Sequence, residues 1–473
     1  MTFSSRRVLI FLLLFLSTTL MFRTLDAGGI PSYDDGYYAQ KAREMMTHGR
    51  LLTPTFGGHP YFDNPPGFMW LLAGSFQIFG TTEFGARFPS AAAGVLGILG
   101  TFFLFELLFT TRIGFLAGLI LSLTTLYLKY SRHAMMDVTV TASVVWCYYF
   151  FVRALREQDK PHLFLLSGLA GSYVMFAKSV FGLVVLGVLF FYTIFARYGR
   201  AFGRLSLWVG LLLFVLPYAF WCVWSYVHFG GEFTRPHFYN LIFGMARHGG
   251  ANDHIYDYVL VLLKYFPIYL PFMLWGLWLA MRSRGEAWRS YALPAFYFLI
   301  FFVALSLQGT KKTWYFIPAL PACAGLAALG LDRAARRLSL EQIARGVAVL
   351  ALLLHFLFLL TPIPLSSDRA LEIRQIAPYV RAAGKQGYRI LGYNIDRIGL
   401  NASLLFYSDR EAEGVEKGSL AQQLSLGGKV LMLISPEEWE QVRAEHPALS
   451  VVRRNAKWVV VVNEPLSQEE IFP

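Results

Sequence analysis

Residues 205–227 read LSLWVGLLLFVLPYAFWCVWSYV, a run without a single Lys, Arg, Asp or Glu. A helix rises 1.5 Å per residue and needs about 20 apolar residues to cross a hydrocarbon core roughly 30 Å thick, so this stretch reads as a membrane span. Runs of the same character recur near 8–25, 86–110, 113–130, 136–153, 162–177, 179–196, 258–281, 290–308, 314–331 and 345–361. The expected fold is an all-α polytopic membrane body of about eleven to thirteen transmembrane helices. The stretch 66–80, PGFMWLLAGSFQIFG, is apolar but short and led by Pro65 and Pro66. It reads either as an interfacial helix or as half of an extra pair of spans.

Composition agrees. The chain has 473 residues, 56% of them hydrophobic, 16% aromatic and 15% charged, against roughly 25% charged in soluble globular proteins. The charge is unevenly placed. Residues 1–365 carry 29 Lys and Arg against 16 Asp and Glu, whereas residues 366–473 carry 13 against 14 in 108 positions. A basic, lipid-embedded body is thus followed by a near-neutral segment of soluble character, which excludes a soluble enzyme, a disordered chain and a single-span anchor.

The basic residues are not a nucleic-acid signal. With the N-terminus inside, the predicted inner connections carry Arg6 and Arg7, Arg112, Arg153 with Arg156 and Lys160, Arg197 with Arg200 and Arg204, Arg282 with Arg284 and Arg289, and Arg333 with Arg336, Arg337 and Arg345. That is the positive-inside pattern of a multi-pass protein, and an odd number of spans then places 366–473 on the outer face. The first apolar run resembles a secretory signal, but Arg23 and Asp26 stand where small residues would mark cleavage, so it is read as a retained span. Cys147, Cys222 and Cys323 all lie inside apolar runs and read as packing residues.

Two outer segments are long, 26–85 and 229–257, and both are dense in Asp, His, Arg, Tyr and Gly. In the first, DDGYYAQKAREMMTHG reads as a short amphipathic helix with Tyr38, Ala42, Met45 and Met46 at helical spacing and Gly49 as its stop. Asp34 and Asp35 then sit at its N-terminal end, where carboxylates also serve as plain caps. Residues 366–473 alternate helical and strand patterns, with strands expected at YRILGYN, SLLFYSD, KVLMLIS and KWVVVVNE. This small α/β domain carries no nucleotide fingerprint, metal-ligand spacing or nucleophile elbow, and is expected to be accessory.

The chemistry is sought among charged residues on the outer side that topology does not require: Asp34, Asp35, Asp63, Arg132, His133, Asp137, Lys178, Arg235, Arg247, His248, His254, Lys311 and Lys312. Ionisable groups at membrane depth are costly and default to function. Carboxylates with a histidine suit a divalent cation or a general base, and Arg and Lys suit a phosphate. Together they fit transfer of a group from a lipid phosphate. A structural polar cluster at the end of a span is the alternative for Arg132, His133 and Asp137.

Here the chain resembles a known family. The stretch from Tyr33 to Gly94, opening YDDGYYAQKAREMMTHGRLL, is similar to the N-terminal signature of polyprenyl-phosphate-dependent glycosyltransferases of the GT-C fold, within them to the bacterial lipid A aminoarabinose transferases and relatives of protein O-mannosyltransferases. SRHAMMDVT, FYNLIFGMARHGGANDHIYDYV and KKTWYFIPALPACAGLA follow in the family's order. The resemblance implies a catalytic role for Asp34 and Asp35, a divalent-metal site at Asp63 and His254, donor-phosphate contacts from Arg247, Lys311, Lys312 and Tyr315, and substrate contact from Tyr38. Two positions depart from the pattern. Asn64 replaces a lysine common after the acidic residue, and Tyr37 stands where the aminoarabinose branch has arginine.

The implied function is transfer of a sugar from an undecaprenyl-phosphate-type donor to a lipid A-like glycolipid, glycan or protein acceptor at the periplasmic face of a bacterial inner membrane, with no nucleic-acid partner. The implied organisation is a transmembrane domain over 1–365, with its site in the outer loops 26–85 and 229–257, and a periplasmic α/β domain over 366–473. The competing classes are a transporter or flippase of a lipid-linked solute and a non-catalytic envelope assembly protein. A transporter would place its ionisable residues near the bilayer midplane, often in internal repeats, whereas here they gather in outer loops.

Overall fold

A computed structural model of the chain describes residues 3–31, 34–244, 254–335, 338–360, 370–395 and 397–467. The described residues of every apolar run singled out above are mainly helical, with short breaks near 124 and 266–269. Among the described residues, six helices are long and apolar enough to cross a membrane, or up to eight if two bent pairs each make one span. Shorter apolar helices occupy His162–Ala177 and Ser179–Phe195. One of the bends has a local cause. Asp257–Tyr265 and Leu270–Arg282 meet at 119°, where Pro267 and Pro271 each remove a backbone donor.

The helices approach closely where glycine allows it. A Cβ on Gly168 of His162–Ala177 would lie 2.1 Å from the carbonyl oxygen of Gly210 in Leu205–Phe229, so these two helices touch backbone to backbone. Larger groups fill the centre. Tyr127, Tyr148 and Tyr297 are fully buried, the rings of Tyr148 and Tyr297 meet edge to face at 4.8 Å, and the Tyr297 hydroxyl donates to the Pro318 carbonyl at 2.6 Å.

The helix Gly67–Phe79 favours the interfacial reading of the stretch 66–80. Its thirteen residues span about 20 Å, short of the hydrocarbon core, and it buries Phe68, Met69, Leu72 and Phe76 while Trp70, Leu71 and Ile78 stay exposed. That division suits a helix lying along the protein surface.

The C-terminal residues form a five-stranded sheet in the order Glu413–Val415, Arg389–Tyr393, Val430–Ile434, Val459–Val462, Ser450–Arg454. The first two pairings are parallel and the last two antiparallel. Separate apolar clusters cover its two faces, one around Ile376, Val380 and Val460, the other around Met432, Trp439 and Val461. The expected boundary at residue 365 lies outside the described residues.

One expected strand is corrected. SLLFYSD belongs to a helix, Arg397–Ser408. A short apolar run cannot by itself separate a buried strand from a helix buried on two sides, and this one is the latter. Leu400 and Leu404 join the core under the sheet, while Ser403 donates to the Ile30 carbonyl at 2.8 Å and Phe406 joins the core of the membrane body. The strands Glu413–Val415 and Ser450–Arg454 carry too little apolar patterning to be read from sequence.

Candidate active site

The first outer segment is fastened at several points before it reaches the site. The Arg87 guanidinium donates to the carbonyls of Leu25, Ala27, Gly28 and Gly29 at 2.8–2.9 Å. Arg132 donates to those of Leu20 and Met21, each at 3.0 Å. Both arginines are therefore structural. The chain then enters the helix Asp34–His48, in which Asp34 and Tyr38, four residues apart, fall on one face. At its far end the buried Glu44 carboxylate accepts from Thr55 Oγ1 at 2.7 Å and from the amides of Gly57 and Gly58 at 2.8 and 3.1 Å. Glu44 thus holds the tight hairpin pairing Thr55–Phe56 with His59–Pro60, which delivers Asp63 and Asn64.

These elements close on a cavity of about 190 Å³ lined by Asp34, Tyr38, Asp63, Asn64, Lys178, Gln308, Trp314 and Tyr315, together with residues 179–181. Burial pushes the Asp34 carboxyl up to about 6, and the neighbouring carboxylates Asp137, Asp35 and Asp63 add to the shift while Lys178 opposes it. A carboxyl poised there can act as a general base near neutral pH. Burial and the nearby carboxylates hold the Tyr38 phenol well above its ordinary value, so it remains a hydrogen-bond donor.

One lysine lines the cavity and a second stands behind Asp63. Lys178 Nζ lies 2.5 Å from Asp137 Oδ1 and 4.0 Å from the centre of the Tyr315 ring. Lys41 Nζ, with its side chain fully buried, lies 2.8 Å from Asp63 Oδ1 and 4.0 Å from the Tyr61 ring centre. Asp35 has a different place. Its Oδ1 accepts from the Ala134 amide at 2.9 Å and faces His133 Nδ1 at 3.0 Å. Burial alone would raise its carboxyl, but His133, the Ala134 amide and Arg87 together hold it below the usual carboxylate range.

Of the residues singled out in the sequence, Asp34, Tyr38, Asp63 and Tyr315 therefore line one cavity, and Asp35 braces it from behind. Lys311, Lys312 and His254 are not among the residues lining it. Lys311 Nζ donates to the Gln308 carbonyl at 2.7 Å. Lys312 is exposed, and its carbonyl accepts from the Tyr258 hydroxyl at 3.3 Å. His254 is exposed, with its ring stacked 5.0 Å from that of Tyr256. Arg247 lies outside the described residues.

The residues do not fit the metal site expected at Asp63 and His254. Asp63 is engaged by an ammonium, and among the described residues no group of three or more His, Cys, Asp or Glu is gathered to hold an ion.

Three residues important to this geometry were not assigned a role from sequence. Lys178 carried a signal, a lone charge at the junction of the runs 162–177 and 179–196. Lys41 sits on the buried side of an otherwise polar helix, and periodicity gave no warning of it. His237 is fully buried, with Nδ1 2.9 Å from the Phe62 carbonyl and Nε2 2.9 Å from the Tyr218 hydroxyl, so it ties the second outer segment to the residue before Asp63. Burial lowers its basicity despite the Phe62 carbonyl and Asp63.

Residues 63–224 match the family model described as dolichyl-phosphate-mannose-protein mannosyltransferase. In three dimensions the chain superimposes on the crystal structure of ArnT from Cupriavidus metallidurans bound to undecaprenyl phosphate, with a TM-score of 0.77, 20% identity, and coverage of 96% of this chain and 98% of that one. The likeness shows that the chain has the expected GT-C fold. An uncharacterized protein of Aquifex aeolicus is 28% identical over 73% of this chain and 70% of its own. The undecaprenyl phosphate-alpha-4-amino-4-deoxy-L-arabinose arabinosyl transferase of Aeromonas salmonicida is 34% identical over a stretch covering 34% of this chain and only 30% of that protein.

Proposed function

We propose that this glycosyltransferase moves one sugar, with inversion, from an undecaprenyl-phosphate-type carrier to a hydroxyl of a lipid A-like glycolipid, a glycan or a protein on the periplasmic face of a bacterial inner membrane. One observation carries the reading: the Asp34 carboxyl, raised to about 6, lines a cavity that also holds Tyr38, Lys178 and Tyr315. Asp34 takes the proton of the acceptor hydroxyl as its oxygen bonds to the anomeric carbon. The bond from that carbon to the phosphate oxygen breaks, and the electron pair leaves with the lipid phosphate. Lys178 and Tyr315 face the leaving phosphate from the cavity wall. Lys311 and Lys312 extend this cationic side along the segment next to Tyr315, and Arg247 is a further candidate from the second outer segment. Tyr38 donates to the sugar or the acceptor, while Asp35 and Asp63 hold the site in shape.

The names of the relatives support the donor class, and the departures at Tyr37 and Asn64 leave the sugar and acceptor open. Lipid and glycan mass spectrometry of a strain lacking the gene tests the proposal. The expected result is loss of one sugar from an envelope component together with accumulation of a polyprenyl-phosphate sugar. An unchanged envelope with no accumulated donor would sink it.

A further inference from the structure

Asp63 is the only carboxylate at the cavity that the resemblance marks as a metal ligand and the structure pairs with a lysine. Lys41 reaches it from the second turn of the helix Asp34–His48. Its side chain is fully buried, so its ammonium has given up water for protein partners. Those partners are Asp63 Oδ1 at 2.8 Å and the faces of Tyr61 and Tyr37, with ring centres at 4.0 and 5.3 Å. Asn64 adds two further bonds, its amide donating to Oδ1 at 2.9 Å and its Nδ2 to Oδ2 at 3.2 Å. The Asp63 side chain is 38% exposed, yet its positive partner is supplied covalently by its own chain, and a second cation at Oδ1 would face the repulsion of the first.

The sequence gives a reason for this lysine. The resemblance implies a cation at each of two positions where this chain has Tyr37 and Asn64. Both replacements contact the Lys41 and Asp63 pair, Tyr37 through its ring and Asn64 through two hydrogen bonds. We infer that Lys41 is a built-in cation that takes the place of a divalent metal ion at Asp63, making this corner of the site independent of metal. Lys41 is thus a positioning residue, acting through Asp63 on the cavity wall. The inference rests on the cavity being the reaction site, but its first test needs no turnover.

The purified full chain is equilibrated in turn with Zn²⁺, Mn²⁺ and Mg²⁺, freed of unbound ion and analysed for metal, as wild type and as Asp63→Asn. The two should carry the same metal. A stoichiometric ion in the wild type that Asp63→Asn removes would overturn the inference. Undecaprenyl phosphate binding is then measured for the wild type, Lys41→Met and Lys41→Arg, each with and without a chelator. Loss of a charge-assisted contact should weaken binding by about tenfold or more in Lys41→Met, with Lys41→Arg close to wild type and the chelator without effect in all three. Equal loss in Lys41→Met and Lys41→Arg would reduce Lys41 to a packing role and equally overturn it. If Lys41→Met does not fold, the metal analysis of the wild type and Asp63→Asn still decides.

Discussion

Asp35 holds the backbone of Ala134: its Oδ1 accepts the Ala134 amide at 2.9 Å, across a gap of 99 residues in the chain. Its neighbour Asp34 lines the cavity instead. Adjacent acidic residues on a helix differ by about 100° in direction, and here that angle separates a chemical role from a structural one. Asp34→Asn should lower transfer by about 10²–10⁴-fold, the usual effect of losing a positioned base, with unfolding unchanged or slightly delayed, because a buried carboxylate has been neutralised. Asp35→Asn should instead lower thermal stability, by about 1–3 kcal/mol for the weakened contacts to the Ala134 amide and His133. Equal thermal stability in the two variants, followed in detergent, would refute this division of roles.

The Asp34 carboxyl near 6 sets an acid limb. A base must be ionised to accept a proton, so the rate at saturating donor should rise with pH through about 6 and level above it. The neighbours fix the direction of further shifts. Lys178 lowers the Asp34 value and Asp63 raises it, so Lys178→Met should move the midpoint up and Asp63→Asn should move it down. A pH profile whose midpoint is the same in both variants would detach the limb from Asp34.

Lys178 and Asp137 make an ion pair 2.5 Å long in which the Asp137 side chain is 1% exposed. Removing one partner of such a pair leaves a buried charge uncompensated and costs about 3–5 kcal/mol. Lys178→Met should therefore unfold well below the wild type. Adding Asp137→Leu should recover much of that stability while transfer stays low, because the cavity still lacks its cation. Recovery of transfer with stability would show that Lys178 only neutralises Asp137.

The basic inner connections lead us to expect residues 366–473 on the outer side, and fusions test this. Alkaline phosphatase joined after Ser366 should be active, and a fluorescent protein that matures only in the cytosol should stay dark there. The reverse pattern would place Asp34 and its cavity on the inner face.

The spans were legible because about twenty consecutive apolar residues match the thickness of a bilayer core and would be costly to leave in water. The Asp34–His48 helix was legible from its spacing and its glycine stop. Lys41 and His237 were not, since each is polar by composition and buried only through contacts made from distant segments, Asp63 for one and Phe62 for the other. Residues 403–409 misled for the opposite reason. Leu404, Leu405 and Phe406 are all buried, and a run apolar on every side hides its own period. The metal expectation at Asp63 and His254 came from resemblance, and only side-chain placement could expose the lysine beside Asp63.

The C-terminal unit, expected to be accessory, is bonded to the very segment that carries Asp34. The Tyr407 hydroxyl donates to Glu83 at 3.0 Å and accepts from the Ile30 amide at 2.6 Å. Arg43 donates to the carbonyls of Leu405 and Phe406 and pairs with Asp409. Between these anchors the helices meet at Gly36, where a Cβ would stand 2.9 Å from backbone atoms of Ala402. Backbone cannot swing aside as a side chain can, so Gly36→Ala must push the Asp34–His48 helix away from Arg397–Ser408. Asp34 lies only two residues from the wedge. A misplacement of about 1 Å at a reacting group can cost 10²-fold in rate, so Gly36→Ala should lose transfer far out of proportion to any loss of stability. Gly74→Ala, in a helix position with open space around it, is the matched control and should behave as wild type. If Gly36→Ala keeps full transfer, the contact with Arg397–Ser408 does not set the position of Asp34, and the C-terminal unit is a passenger on the membrane body.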